Sequence, residues 1–310
     1  MPRDGLLRIG TRSSPMAMAQ AEQVAGLLRA EWLVREVRIV PYTTSGDRWT
    51  GDLADAGGKG SFVKEIDRAL LADEVDVVVH CLKDIPGDEP MPDGLEIVAY
   101  LPRDEVRDCL VTASGAKLKD LPSGARVGTS SVRRKAQLLA LRRDLTVVPM
   151  RGNANSRLAR LDAGDCDALK LAAAGLERIR LAERITELFA TTSVVPAIGA
   201  GVLALQCRTN DADSAEAAAG LDDPATRACA VAERALLTTL RGHCNSPIAG
   251  HCVPKDDGLT LHAAVYRPGG DIVLEAFENG LFPMAEWIGE AAGQTLLDQG
   301  ARELIDAIPH

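Results

Sequence analysis

Two short runs in this chain hold residues that could do chemistry. Cys244 lies in Leu240-Arg241-Gly242-His243-Cys244-Asn245-Ser246-Pro247-Ile248-Ala249-Gly250. A thiol on such a loop could form a thioether or attack an electrophile, and the plain alternative is a spare cysteine. His243-Cys244 and His251-Cys252 repeat a His-Cys pair, but zinc motifs space their ligands differently, so no metal is expected. Asp84 lies in Val79-His80-Cys81-Leu82-Lys83-Asp84-Ile85-Pro86, just past an apolar run. Ligands of open α/β sheets bind beyond the carboxyl ends of strands. An acid there could protonate a leaving group or stabilise a developing cation; a turn aspartate is the ordinary alternative. Lys83 beside it could contact an anion, and Pro86 stiffens the loop.

Arg12, Arg133, Arg134, Arg151 and Arg157 fall near turns or helix starts. Backbone N–H groups and guanidinium groups could then face one anion, and the planar fork of arginine suits a carboxylate. Solvated surface charge is the alternative reading, less apt for five residues than for one. Gly57-Gly58-Lys59-Gly60-Ser61 lacks the spacing of a P-loop. It reads either as a mobile loop carrying Lys59 over an anionic substrate or as a flexible surface loop.

The elements that must position these residues follow a βαβ rhythm. Strands are expected over 6–9, 37–40, 76–79 and 95–100. Helices are expected after the Ser14 cap with Pro15 at the first position, and over 61–71, where Phe62, Ile66 and Leu70 share a face. The pattern restarts with a strand at 126–127, a helix over 132–141, and strands at 145–148 and 168–171. Ile9-Gly10-Thr11-Arg12-Ser13-Ser14 and Val127-Gly128-Thr129-Ser130-Ser131 are alike: strand, Gly-Thr turn, hydroxyl cap, helix. Two similar α/β lobes are therefore expected. A third, α+β unit follows: a helix over 225–240, strands 259–266 and 271–277 joined at Pro268-Gly269-Gly270, and helices 285–297 and 301–307. The expected division is 1–101 with 200–219, then 102–199, then 220–310.

With 310 residues there is room for such a core, but aromatics at 3% leave it to Leu, Val, Ile and Ala. A net charge of -9 argues against nucleic acid as partner and makes a local arginine cluster informative. No run is long enough to span a membrane, and no apolar leader precedes the first strand. The seven cysteines lack framework spacing, so free thiols and a cytoplasmic location are expected.

Taken together, these runs resemble the porphobilinogen deaminase family along essentially the whole chain. Further matching runs are Gly57 to Glu65, Arg151-Gly152-Asn153 and Ala232-Glu233-Arg234-Ala235. The resemblance implies a transferase that joins four porphobilinogen molecules into hydroxymethylbilane with release of ammonia. It implies a dipyrromethane cofactor bound by thioether to Cys244. It makes Asp84 the group that protonates the departing amine and stabilises cationic intermediates. Arg12, Arg133, Arg134, Arg151, Arg157 and Arg178 would pair with acetate and propionate side chains. Ser14, Lys59 and Lys83 would also contact cofactor or substrate. The implied fold is α/β, with two periplasmic-binding-protein-like lobes flanking a cleft and a small C-terminal α+β domain, as a monomer. Solute-binding proteins also use two such lobes, but a pure binder has no need of Cys244.

Some positions depart from the family pattern: Cys81 for a usual Ser, His243 for Gly, Ala200 in Ala197-Ile198-Gly199-Ala200-Gly201, and Lys170 in an otherwise aliphatic strand. A lysine there should either reach the anion-binding surface of the second lobe or meet solvent at a sheet edge.

Overall fold

The computed structural model describes residues 5–30, 36–48, 60, 62–87, 90–242 and 245–308. The first lobe opens with β1 (Leu6–Arg12), α1 (Pro15–Ala30), β2 (Glu36–Tyr42), α2 (Ser45–Arg48), α3 (Lys64–Leu71), β3 (Val77–Cys81) and β4 (Leu95–Tyr100). The chain crosses into the second lobe, with β5 (Asp108–Thr112), β6 (Arg126–Gly128), α4 (Val132–Leu141), β7 (Thr146–Val148), α5 (Ala154–Asp162), β8 (Ala168–Ala172), α6 (Ala173–Arg178) and β9 (Glu187–Leu188). It then returns to the first sheet as β10 (Leu203–Arg208), followed by α7 (Ala212–Ala219).

The two sheets have matching orders, β2-β1-β3-β10-β4 and β7-β6-β8-β5-β9. In each, three parallel strands are joined by one antiparallel strand that has just crossed from the other lobe: β10 against β3, and β5 against β8. The Gly-Thr turns occupy matching places, with Gly10 beside Val78 and Gly128 beside Leu169. Both glycines admit close packing. A Cβ on Gly128 would lie 2.8 Å from Leu169, and one on Gly10 would lie 3.0 Å from Val75.

Apolar side chains fill both faces of each sheet. Leu7, Ile9, Val24, Leu28, Val77 and Leu205 pack in the first lobe. Cys109, Val111, Leu158 and Leu169 lie on one face of the second sheet, and Leu110, Val127 and Leu138 on the other. Hydroxyl caps start α1 and α4 as the sequence suggests, and an amide cap starts α5. Ser14 Oγ accepts from Ala17 N at 3.3 Å, Ser131 Oγ from Arg134 N at 3.4 Å, and Asn153 Oδ1 from Ser156 N at 2.9 Å.

The third unit holds α8 (Pro224–Thr239), the antiparallel sheet β11 (Ile248–Lys255), β12 (Gly258–Tyr266) and β13 (Val273–Leu281), and then α9 (Ala285–Asp298) and α10 (Ala301–Asp306). It is fastened to both crossings by Glu233, which is fully buried. Arg103 of the first crossing donates Nη1 to Glu233 Oε1 at 2.7 Å; Gly199 N of the second donates to Oε2 at 2.7 Å. Cys252 N on β11 adds 2.7 Å to Oε1. Such a buried carboxylate needs all of these donors.

Several elements differ from expectation. The helix expected over 61–71 begins at Lys64, and Phe62 leaves its predicted face to lie against Arg12 and Gly46. Strands β5, β9, β10 and β11 and helices α2, α5, α6 and α7 were not anticipated. β11 contains Pro254, which sequence patterning treats as a strand breaker, but β11 is an edge strand, where a missing N–H is tolerated. Neither reading of Lys170 holds. Its strand β8 is central, between β6 and β5, and Lys170 is fully buried. Lys170 pairs across from Leu110 and so replaces an aliphatic residue on the face of the second sheet lined by Leu110 and Val127.

Candidate active site

A cleft of about 810 Å³ runs between the lobes, and the ends of β1, β3, β6 and β8 open onto it. Arg12, Ser14, Lys83 and Asp84 line it from the first lobe; Arg133, Arg134, Arg151, Arg157 and Arg178 line it from the second. Ten residues were singled out in the sequence besides Cys244, and these nine share one cavity. Lys59 and Cys244 lie outside the described residues, as does His243. Asn245 and Ser246, which follow Cys244, line the same cleft.

Asp84 ends a single tight turn, Leu82–Asp84, directly after β3. Its side chain is 28% exposed, and Arg12 Nη1 lies 3.4 Å from its Oδ2. Arg12 is held more closely by Asp47, with Nη2 to Oδ1 at 2.5 Å and Nε to Oδ2 at 3.2 Å. Burial would lower the Arg12 pKa, but the hydrogen bond and charge of Asp47 and the charge of Asp84 outweigh it and hold it raised. Behind the turn, His80 is buried and shares a 2.8 Å hydrogen bond with Gln206 on β10. Burial pulls its pKa down to about 4, so the ring is neutral at neutral pH. Cys81 Sγ accepts from Gln20 Nε2 at 3.0 Å.

The second lobe is organised around Asp108 at the start of β5. Arg134 donates Nη2 to Oδ1 at 2.6 Å and Nε to Oδ2 at 3.0 Å, and Arg133 Nη2 reaches Oδ2 at 3.1 Å. Burial would raise the Asp108 pKa, but the charges of Arg134, Arg133 and Lys170 hold it far below the usual carboxylate range. Arg133 and Lys170 share a second partner: Gln137 Oε1 accepts from Arg133 Nη1 at 3.0 Å and from Lys170 Nζ at 3.1 Å. The Lys170 amine therefore stands one layer behind the cleft. Burial drives its pKa well below the ordinary lysine value.

Arg151 and Arg157 are different. Among the described residues neither has a carboxylate at ion-pair distance. Arg157 Nε donates to Gly152 O at 2.7 Å, and Arg151 Nη2 is buried without a hydrogen-bond partner. Burial and the neighbouring charges of Arg134 and Arg151 pull the Arg157 pKa down to about 10. Such crowding of like charge is relieved by an anion. An orphaned guanidinium N–H points the same way, so the donor set fits a ligand bearing several carboxylates. Arg178 pairs with Asp104 of the first crossing, and its Nε is buried without a partner.

The sequence reading missed Asp47, Asp104, Asp108 and Gln137. No motif marks the three aspartates, since each meets its arginine only through the fold; a carboxylate at the start of a buried strand, as at Asp108, is the usable signal there. Gln137 lies one helical turn after Arg133 on α4, a spacing that sequence alone could have used.

Comparison with known proteins agrees with this arrangement. A family model described as "Porphobilinogen deaminase, dipyromethane cofactor binding domain" matches residues 7–216, and "Porphobilinogen deaminase, C-terminal domain" matches residues 227–298. The chain is 51% identical to "Porphobilinogen deaminase 2" of Streptomyces coelicolor, covering 98% of each chain. It is 42% identical to "Porphobilinogen deaminase" of Syntrophobacter fumaroxidans, again covering 98% of each. Among solved structures, a periplasmic substrate-binding protein of an ABC transporter from Coxiella burnetii is similar at 16% identity and a TM-score of 0.43, covering 70% of this chain and 92% of that one. With both family models matched in order along one cleft-bearing chain, the protein belongs to the porphobilinogen deaminase family.

Proposed function

We propose that the chain joins four porphobilinogen molecules head to tail into hydroxymethylbilane, with release of ammonia at each addition, on a dipyrromethane primer tethered through the Cys244 thiol. The observation that carries this reading is the pairing across one cleft of Asp84 with a second-lobe surface where Arg151 and Arg157 have no carboxylate of their own among the described residues. When bound, the dipyrromethane supplies the acceptor pyrrole to which the next unit is joined.

Each porphobilinogen carries two carboxylates, so primer and growing chain are polyanions. Arg134, Arg151 and Arg157 bind the primer's carboxylates, helped by the backbone N–H groups at the capped starts of α4 and α5. Ser14, at the start of α1, and Lys83 support the same ligand from the first lobe. Arg133 is more deeply set and holds Asp108 and Val195 O, so it positions Arg134 as well as adding charge. Arg12, Arg178 and Lys59 receive the incoming unit. Asp84 delivers a proton to the departing amine, and its carboxylate then stabilises the positive charge left nearby. Holding acceptor and donor in one cleft makes each joining step effectively intramolecular.

The enzyme is read as a cytoplasmic monomer. Among the described residues no helix is long and apolar enough to cross a membrane. The test is product stoichiometry with purified protein: one linear tetrapyrrole and four ammonia for every four porphobilinogens consumed. Binding of porphobilinogen without ammonia release would mark a binder instead.

A further inference from the structure

Arg12 and the pair Arg151 and Arg157 face the same cleft but are held differently. The side-on edge of Arg12, formed by Nε and Nη2, is already filled by the two oxygens of Asp47. Asp47 is itself fixed: its Oδ2 accepts from Thr44 Oγ1 at 2.8 Å and Thr44 N at 3.3 Å, and Thr44 is fully buried. The Phe62 ring lies 4.3 Å from the guanidinium carbon. A Cβ on Gly46 would come 2.4 Å from that ring, so α2 and its aspartate are pressed onto the Arg12–Phe62 pair. Only Nη1 points elsewhere, toward Asp84. Arg12 thus already carries a carboxylate in the forked geometry in which it would take an acetate or propionate.

We propose that Asp47 is a positioning residue that stands in for a substrate carboxylate on Arg12, yielding the Nε–Nη2 edge when porphobilinogen enters and taking it back when the chain moves on. The proposal rests on the reading that Arg12 receives a substrate carboxylate. Its physical content is an exchange. Replacing one forked carboxylate by another changes little free energy, so the incoming unit is oriented without being held tightly. A position refilled at every addition needs that, since tight ground-state binding lowers KM without speeding the reaction. Among the described residues Arg151 and Arg157 have no such internal competitor, and they keep what they bind.

Asp47→Asn keeps the shape and an acceptor for Thr44 but loses the competing charge. In cofactor-loaded enzyme it should lower KM and kcat together, each by roughly three- to tenfold, because the ground state is bound more tightly while the transition state is not. Asp47→Glu, which retains the carboxylate, should return both toward wild type. An unchanged or raised KM in loaded Asp47→Asn enzyme overturns the proposal. If that variant fails to load cofactor by intact mass, Asp47→Ser is measured in its place, and failure of both to load also overturns it. Arg12→Gln separates the two readings. If it raises KM while Asp47→Asn does not lower it, only the stand-in role fails; if Arg12→Gln leaves KM unchanged, the assignment of Arg12 to substrate fails as well.

Discussion

In the first lobe the helix start after β1 presents Arg12 with two acids, Asp47 and Asp84. In the second, among the described residues, the matching start after β6 presents Arg133 and Arg134 with one acid, Asp108, while Arg151 after β7 and Arg157 on α5 add charge with no carboxylate at ion-pair distance. The backbone device is the same in both: a parallel strand, a Gly-Thr turn, a hydroxyl cap and a helix. The charge balance differs. Under the proposed function, one backbone device used twice serves two purposes, a surface that retains a polyanion and one that supports acid chemistry and turnover, with the difference lying in the carboxylates supplied from neighbouring segments.

The largest expected effect falls on the acid of the first lobe. Asp84→Asn should fold and carry cofactor but lose turnover by about 10²–10⁴-fold, since an amide can supply neither proton nor charge. Near wild-type turnover would remove Asp84 from its role. On the second lobe, Asp108→Asn should leave Arg133, Arg134 and Lys170 buried around a neutral amide. We expect it to lose about 3–5 kcal/mol of stability, read by thermal or denaturant melting. The depressed pKa of Asp108 means the native state binds fewer protons than the unfolded state. Its stabilisation is complete above the unfolded carboxylate pKa of about 4, and it drains away as pH falls below that. The Asp108→Asn protein should lack that acid limb.

Arg157→Leu tests the retaining surface. It should leave the melting temperature near wild type but weaken cofactor assembly, at about 1.5–3 kcal/mol for a lost charge-assisted pair. The fraction of cofactor-bearing protein measures it, and normal loading would make Arg157 a surface charge. The smallest effect is at Lys170. Its lowered pKa costs stability wherever unfolded lysine is protonated and the buried amine is not, so stability should rise with pH up to about 10.4. Lys170→Met should remove that slope and raise the melting temperature at neutral pH by about 1–3 °C, with KM unaffected by salt beyond the wild-type dependence.

Much of the lining of the candidate site was legible because its pieces are local. Asp84 follows an apolar strand, and Arg133 and Arg134 follow a Ser-Ser cap, so type and spacing within a few residues were enough. The neutralising partners were not legible. Asp47 meets Arg12 from α2, a separate element after β2, and Asp108 reaches Arg134 only because β5 crosses between lobes to pair with β8. The crossing strands escaped notice for a related reason: what makes β5 and β10 strands is the antiparallel partner in the sheet each joins, β8 for β5 and β3 for β10. Lys170 shows the limit of strand alternation. Alternation placed its side chain opposite Leu169 and Leu171 correctly, but only the packed sheet shows that this face meets Gln137 and Phe189 rather than the cleft.

The proposed function requires a polyanion built on a primer that the protein carries covalently at Cys244. The intact mass of native protein from cells that make porphobilinogen tests it most directly. The predicted result is a mass excess of two pyrrole units that is absent from Cys244→Ser. An unmodified mass in fully active native protein would contradict it.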